Sequence, residues 1–420
     1  MPAPIFRRSN KTDFFHFILI CLCFVGIITN GVIFTISTYS FNVERILGIF
    51  LLFYLITDMI RPHVFYAERN IALLWIGWNA TLLVSAAMTT SLQAHAIGWI
   101  LTLIPLSFFW FIYRSNITPS RYAQVARFLL FSISIVCVFS IILRFSFNFN
   151  SPLLFDYLGR AKTLSYEPNI FGSTLAFLFF VSLYNLRLNV FNIILYGISA
   201  AAFLASASKG PIISLIVCLP LYVALHAIAR RRSLNNVIVG TFLATGFTLS
   251  LGLASASIVE KVYRTTLERN AEIEVRGFVV RLATKRFVEK PIFGNGPSDF
   301  GTQNANLLRR WGGQDSKNNL WIGQMMVNIA HDSGIVGLIF YITFMIAAVV
   351  RCFQYIRLGS LAHAAFLVAF LEIFIASQAT SVHLNAVFGI AAGLLIIKPS
   401  QRRPGAPPGS PATTMASQRG

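Results

Sequence analysis

Two segments, VRGFVVRLATKRFVEKPIFGNGPSDF (275–300) and NNLWIGQMMVNIAHDSGIVGLIFY (318–341), mark the part of the chain in which charge is concentrated. The chain before them, and most of the chain after them, is hydrophobic. Basic residues outnumber acidic ones in this stretch, and His331 stands just before the next hydrophobic segment. The composition is typical of an extracytoplasmic loop that binds an anionic ligand. An ionisable residue at the mouth of a membrane span is a functional candidate.

The overall composition is that of a membrane protein. The chain has 420 residues, of which 56% are hydrophobic and 12% charged, whereas a soluble protein carries about 25% charge. The formal net charge of +19 would suggest a nucleic-acid partner in a soluble protein. Here basic loops that anchor spans at anionic head groups explain it better, so we expect membrane lipids and no nucleic acid as partners.

The hydrophobic runs predict an all-α polytopic membrane protein with about 12 transmembrane helices. We divide the chain into an N-terminal bundle of about nine spans (1–257), a large periplasmic loop (258–331), C-terminal spans (332–398) and a disordered cytoplasmic tail (399–420). The predicted spans are 14–37, 46–60, 71–89, 95–113, 128–147, 170–186, 189–206, 211–229, 236–257, 332–350, 360–377 and 384–397.

The distribution of basic residues predicts the orientation. If the N-terminus is cytoplasmic, eighteen basic residues lie in cytoplasmic segments and five in short outside loops and span ends. The eighteen are Arg7, Arg8, Lys11, Arg61, Arg69, Arg114, Arg121, Arg127, Arg187, Arg230, Arg231, Arg232, Arg351, Arg357, Lys398, Arg402, Arg403 and Arg419; the five are Arg45, Arg144, Arg160, Lys162 and Lys209. The positive-inside rule therefore places both termini in the cytoplasm and the 258–320 loop outside.

Several short features have two interpretations. Pro168 is a good helix start, but Glu167 and Asn169 beside it are equally well interpreted as polar groups that face a cavity. Gly210-Pro211 explains a tight outside turn, whereas Lys209 there could also bind a phosphate as a point charge. The turn GNGP (294–297) resembles part of a dinucleotide loop, which we reject because no strand precedes it.

The large loop contains a predicted helix from about Arg264 to Lys290. Its residues Val275, Phe278, Val279 and Leu282 recur at helical spacing, so we expect an amphipathic helix that lies along the membrane surface.

The residue types of this outer face limit the chemistry. The five cysteines and the acidic residues form no metal-binding motif, so we predict no cofactor and no metal. Arginines bind phosphate oxygens in bidentate fashion, and histidine accepts protons near neutral pH. These groups suit a reaction in which a hydroxyl displaces a phosphate or diphosphate leaving group. His331 would be the base, with Asn328 holding a ring nitrogen and Asp332, about 100° away on a helix, a poorer partner.

Four motifs together give a resemblance. Arg276 followed by PIFGNGPSDF (291–300) resembles the Arg…PlxGxGxxxF element of the O-antigen ligase and polymerase family. The segment NNLWIGQMMVNIAHDSGIVGLIFY is similar to that family's histidine region. SASKGPIISL (206–215) resembles its S-R-G turn with lysine in place of arginine, and EPNIFGSTLAF (167–177) its N-P-N span start.

The resemblance implies a bacterial inner-membrane, metal-independent glycosyltransferase that takes a glycan from an undecaprenyl-diphosphate carrier. Arg276 and Lys209 match the family's basic positions, with Arg281 as an alternative. His331 is the nearest match to the catalytic histidine, although many members place it as H-N where this chain has Asn318-Asn319. Glu167, Asn169, Asn319 and Asn328 complete the predicted substrate-binding set.

The resemblance leaves the acceptor open. A polymerase would extend exopolysaccharide or O-antigen, and a ligase would transfer the glycan to a lipid A core. We favour the polymerase, with a chain-length regulator and a flippase as partners. A lipid-linked glycan transporter is the alternative from another class, since Asp58 and Glu372 fall inside predicted spans.

Overall fold

The chain is described by a computed structural model. The structure describes residues 10–28, 34–36, 39–59, 69–87, 92–115, 117–149, 151–152, 154–155, 161–163, 165, 167–184, 189–206, 208–230, 238, 268–297, 299–301, 303–304, 322–378 and 385–399. The predicted span 236–257, apart from residue 238, and the predicted tail after residue 399 lie outside this part.

The described chain is helical apart from one short hairpin. The helices are α1 (Asn10–Ile28), α2 (Val43–Met59), α3 (Arg69–Ala87), α4 (Leu92–Arg114), α5 (Pro119–Phe147), α6 (Pro168–Ser182), α7 (Val190–Ala205), α8 (Lys209–Ala229), α9 (Glu268–Glu289), α10 (Met325–Arg357), α11 (Leu361–Ala376) and α12 (Ala386–Ile396). Strands β1 (Phe34–Ile36) and β2 (Tyr39–Phe41) pair antiparallel.

Ten of the described helices are apolar enough to belong to a membrane bundle. Four are long enough to cross a membrane, within Asn70–Ala87, Pro119–Phe147, Gly210–Ala229 and Met325–Arg357. The shorter apolar helices are His16–Ile28, Gly98–Arg114, Pro168–Ser182, Val190–Ala205, Leu361–Ala376 and Ala386–Ile396. The helical fold class is therefore confirmed, and several apolar helices indicate a multi-pass membrane protein.

Two predicted spans differ from the structure. The first was predicted to reach residue 37, but α1 ends at Ile28 and residues 34–36 form a strand. The alternation of apolar and hydroxyl residues around 34–41 suits a strand better than a helix. The second coincides with α2, but α2 is not among the apolar helices named above.

Aromatic side chains fill the centre of the bundle. Trp75 packs between Phe109 and Phe344, with ring centroids 4.9 and 4.7 Å away. Other aromatic side chains point outward, and Phe145 is 82% exposed. An inward apolar face and an equally apolar outward face are what a bilayer requires of a helix.

The helix ends form two groups, according to which ends contact each other. One group joins Met325 with Ser377, Glu44 with Ala386, Asn169 with Ser208, and Ala161 with Ala205. The other joins Asp58 with Arg114, Arg127 with Tyr184, and His363 with Ile397. The charge distribution predicts that the first group lies outside and the second in the cytoplasm. The pairing of ends thus agrees with the predicted alternation, whichever group faces outward.

Candidate functional site

The helix α9 reaches the bundle through a small apolar cluster. Ala283 is fully buried against Phe300 and Ile322, and Val279 and Leu282 pack on the same cluster. The predicted apolar face of α9 therefore exists, but these residues cover protein rather than lipid.

The turn after α9 is inserted into a break in α10. At Gly334, φ is 66° and ψ is −168°, so the helical hydrogen bonds across this residue cannot form. Instead, Ile335 N donates to Pro291 O at 2.8 Å and Val336 N to Ile292 O at 3.3 Å. In return, the carbonyls of His331 and Asp332 accept from the amides of Asn295 and Gly296, at 2.8 and 3.0 Å respectively. Four hydrogen bonds to the loop thus replace the helical ones.

Two glycines make this approach sterically feasible. Gly294 (φ 76°) and Gly334 both have positive φ, which L side chains adopt with strain. A Cβ at Gly334 would lie 2.2 Å from Ile292 O, and one at Gly294 would lie 2.6 Å from Gly334 N. Both positions therefore require the absence of a side chain.

Asn295 ties the three segments together. Besides its backbone bond to His331, its side-chain Nδ2 donates to Arg286 O, near the end of α9, at 3.0 Å. The Asn295 side chain is buried, so both bonds are shielded from water. The position of α9 is thereby linked to the backbone that carries His331.

His331 forms a hydrogen-bonded chain with the two polar residues beside it. Its Nδ1 lies 2.7 Å from Asp332 Oδ1, and Asn328 Nδ2 donates to Asp332 Oδ2 at 3.2 Å. The prediction that Asn328 holds the ring and that Asp332 is the poorer partner was wrong. Nδ1 is the ring nitrogen nearest the backbone, so the short Asp332 side chain reaches it. Asn328 is one turn from Asp332 and bonds that carboxylate instead.

The other ring nitrogen of His331 is unpartnered. The side chain is fully buried, and Nε2 has no hydrogen-bond partner among the described residues. Phe300 packs edge-on against the ring, with centroids 5.6 Å apart. A buried polar atom without a partner is unfavourable and marks a functional candidate.

This arrangement can accept a proton. A carboxylate only accepts hydrogen bonds, so Asp332 favours the tautomer of His331 with hydrogen on Nδ1 and a lone pair on Nε2. A base oriented by a third group is the usual arrangement for activating a hydroxyl.

The two arginines proposed for phosphate binding lie on different faces of α9. Arg276 is seven residues before the buried Ala283, which places the two about 20° apart on the helix. Arg281 is two residues from Ala283, hence about 160° away, and it is exposed. The backbone geometry therefore favours Arg276 over Arg281 for a site beside His331. The Arg276 side chain itself lies outside the described residues.

A second polar cluster joins the starts of α6 and α8. Asn169 Nδ2 donates to Glu167 Oε1 at 2.8 Å, and Ser208 Oγ donates to Asn169 Oδ1 at 2.5 Å. Pro168 is the first residue of α6, as its role as a helix start predicted. Lys209 follows Ser208 as the first residue of α8, and its side chain lies outside the described part.

The C-terminal end of α11 contacts the helices that carry the two clusters, α10 and α8. Ser377 O accepts from Met325 N at 3.1 Å, and Glu372 Oε1 accepts from Ser214 Oγ of α8 at 2.9 Å. The two sets of predicted site residues are thus at the same end of the bundle. Asn319 lies outside the described residues.

Some residues that shape the site are not recognisable from the sequence. In the sequence, Asn295 and Gly294 indicate only a turn that ends a helix, and Gly334 indicates only the start of a span. A signal is present in the two neighbouring Gly-Asn-Gly glycines, since such positions permit close backbone approach. The sequence lacks any indication of which backbone approaches them.

The fold and its lipid-facing surface define a helical, multi-pass membrane protein with a buried histidine site at one end. No family model matches this chain, and a comparison with curated proteins finds no match. Any more particular identity depends on the chemistry of the site.

Proposed function

We propose that the protein is a membrane glycosyltransferase that polymerises lipid-linked oligosaccharide repeat units into exopolysaccharide or O-antigen. The observation that carries the proposal is the buried His331, whose Nδ1 is held by Asp332 and whose Nε2 has no partner among the described residues. The resemblance of four sequence motifs to those of the O-antigen ligase and polymerase family supports the substrate class.

The reaction assigns one role to each group. The acceptor hydroxyl gives its proton to His331 Nε2 while its oxygen attacks the anomeric carbon of the donor glycan. The bond from that carbon to the diphosphate oxygen breaks, and the electron pair leaves with undecaprenyl diphosphate. Arg276 and Lys209 balance the charge on the diphosphate, a role for which arginine forks are well suited. Asp332 stabilises the imidazolium that forms.

The proposal includes a location. The group of helix ends that contains Met325, Ser377 and Ser208 would face the periplasm, with about 12 spans and both termini cytoplasmic, as the charge distribution predicts. The donor's diphosphate would then lie at the outer edge of the membrane, beside His331.

The test is a reconstituted reaction. The purified protein in lipid nanodiscs, given undecaprenyl-diphosphate-linked repeat units and no ion gradient, should yield glycosidically linked oligomers. His331→Ala should reduce the yield by about 10²–10⁴-fold, as expected on loss of a general base. His226→Ala is the matched control, because His226 lies in α8 beside Tyr222, at the opposite end of the bundle.

Each contrary outcome has a distinct meaning. Product only on a lipid A core acceptor would replace the polymerase by the ligase. Movement of the intact lipid-linked substrate across a vesicle membrane without any new glycosidic bond would replace the enzyme by a transporter. Full activity of His331→Ala would remove the histidine from the chemistry.

A further inference from the structure

The helix α10 carries a stripe of exposed apolar side chains. They recur at intervals of three and four residues and so lie on one face of the helix. The stripe consists of Ile335, Ile339, Ile342, Ile346, Val350 and Phe353. Because α10 is one of the helices long and apolar enough to cross a membrane, this face is the one that meets lipid.

The exposed apolar surface extends beyond Ile335, the first residue of the stripe on α10. Beyond the break at Gly334, the chain that abuts α10 is the inserted turn, since Ile335 and Val336 donate to the carbonyls of Pro291 and Ile292. The side chains of Ile292 and Val288 are 58% and 68% exposed, and Phe293 is also exposed. The apolar surface therefore continues from the span onto the turn and the last residues of α9.

Basic residues follow the apolar ones on the same face of α9. Arg281, Lys285 and Val288 are spaced by four and three residues, so they share one helical face, and all three are exposed. This face is opposite the one that packs on Phe300 and Ile322. Along this face of α9, the exposed residues thus change from the apolar Val288 to the basic Lys285 and Arg281. Glu289 and Lys290, between Val288 and Ile292, are exposed as well.

We propose that the side chains of Val288, Ile292 and Phe293 form a membrane anchor, inserted among the lipids of the leaflet that α10 enters. The exposed charges of Glu289 and Lys290, which lie between them in the sequence, and those of Lys285 and Arg281 would be at the level of the head groups. Apolar side chains next to Lys and Arg are the usual composition of a segment at the bilayer interface. Juxtamembrane basic residues are attracted by anionic lipids, and their long stems remain apolar. The continuity with the stripe on α10 identifies the occupant as lipid.

This anchor sets the depth of the candidate site. The turn 291–296 is hydrogen-bonded to the backbone of His331 and Asp332, so fixing the turn among lipids fixes the imidazole at the head-group level. A substrate whose reacting diphosphate is attached to a membrane lipid would present it there. The anchor itself rests on the membrane class of the protein and not on glycosyl transfer, so the two can fail separately.

Photo-crosslinking tests the anchor directly. The full chain is made with p-benzoylphenylalanine at Ile292 or, as a control, at Gln303, an exposed polar residue whose side chain donates to Asp299 Oδ1. Each is placed in nanodiscs of phosphatidylethanolamine and phosphatidylglycerol, irradiated and analysed by mass spectrometry. We expect phospholipid adducts at position 292 and none at 303.

Two other outcomes would overturn the proposal. A cross-link from position 292 to a second copy of the chain would make this surface a protein interface, and equal lipid labelling at 292 and 303 would show that the turn has no special relation to the bilayer. A second measurement does not depend on the photoreactive group. Phe293→Trp should be quenched by lipids brominated near the head of the acyl chain, whereas quenching equal to that of the unmodified protein would contradict insertion.

Discussion

His331 and Asp332 are neighbours in the sequence, and the short side chain of Asp332 determines which ring nitrogen of His331 is left with a lone pair. Asp332 Oδ1 holds His331 Nδ1 at 2.7 Å, while Asn328 supports Asp332 from one turn away. If His331 acts as the proposed base, we expect the loss of activity on substitution to be largest at His331, smaller at Asp332 and smallest at Asn328.

The first prediction tests this order. Asp332→Asn should lower the rate of the chemical step by about 10²–10⁴-fold, because an amide can donate to Nδ1 and so favour the wrong tautomer. Asn328→Ala removes one hydrogen bond to the carboxylate, a loss of about tenfold. Single-turnover rates of both variants, normalised to folded protein, measure the difference. Equal losses in the two variants would contradict this order.

The second prediction concerns the arginines of α9. Arg276→Lys should strongly reduce product yield at normal expression, because a point charge cannot form the bidentate contact of a guanidinium. Arg281→Lys is the matched control and should change little, since position 281 is on the opposite face. If Arg281→Lys were the damaging change, the diphosphate would have to bind on the exposed face of α9.

The residue types of the candidate site were proposed from the sequence, but the contacts between them could not be. His331, Arg276 and the polar cluster at Glu167 and Asn169 stand out because charged and polar residues are rare in this chain. The bond between His331 and Asp332 depends on rotamers, for which a helical wheel gives no information. The role of Asn295 depends on a contact between residues 36 positions apart.

At the scale of elements, the inserted turn is the feature that shapes the site. The helices themselves were largely predictable, because hydrophobic runs locate them directly. The start of α10 was not, since residues 325–333, in which Asn328, His331, Asp332 and Ser333 interrupt the apolar run, continue the helix on the far side of Gly334. Hydropathy marks the apolar part of a helix and misses a polar extension.

The third prediction tests the insertion. Gly334→Ala should destabilise the protein by at least about 1–3 kcal/mol and abolish activity, because its Cβ would meet Ile292 O at 2.2 Å. Gly277→Ala is the control: no atom lies within 4 Å of its added Cβ, and alanine favours a helix by about 1 kcal/mol. Thermal unfolding in detergent compares the two. An unchanged melting temperature for Gly334→Ala would mean that the turn is not inserted as described.

At the scale of the whole molecule, the arrangement of helix ends is a prediction about topology. A phosphatase that is active only in the periplasm should be active when fused after Arg310 and inactive when fused after Gly359. The expected activity after Arg310 follows from the charge distribution. The expected inactivity after Gly359 follows from the group of helix ends that contains His363 and Ile397. Activity at both positions, or the reverse pattern, would contradict the orientation and move the site to the other side of the membrane.

The orientation of the helix ends stays a prediction, which rests on the distribution of basic residues and is independent of packing. The neighbours of each helix could not be predicted, since apolar faces carry no information about their partners. The buried Glu372 illustrates this limit. Its place inside a span is evident from the sequence, whereas its hydrogen bond to Ser214 joins two residues that are 158 positions apart.

The break at Gly334 also has a consequence for biogenesis. Without the turn, the amides of Ile335 and Val336 would face hydrocarbon with no acceptor, and each unsatisfied group there is unfavourable by several kcal/mol. A newly inserted α10 should therefore continue its helical hydrogen bonds through Gly334 until the turn 291–296 docks and exchanges partners with it. Formation of the histidine site would then be a late step that follows insertion of the span. It could occur only after the preceding loop has reached its final side of the membrane.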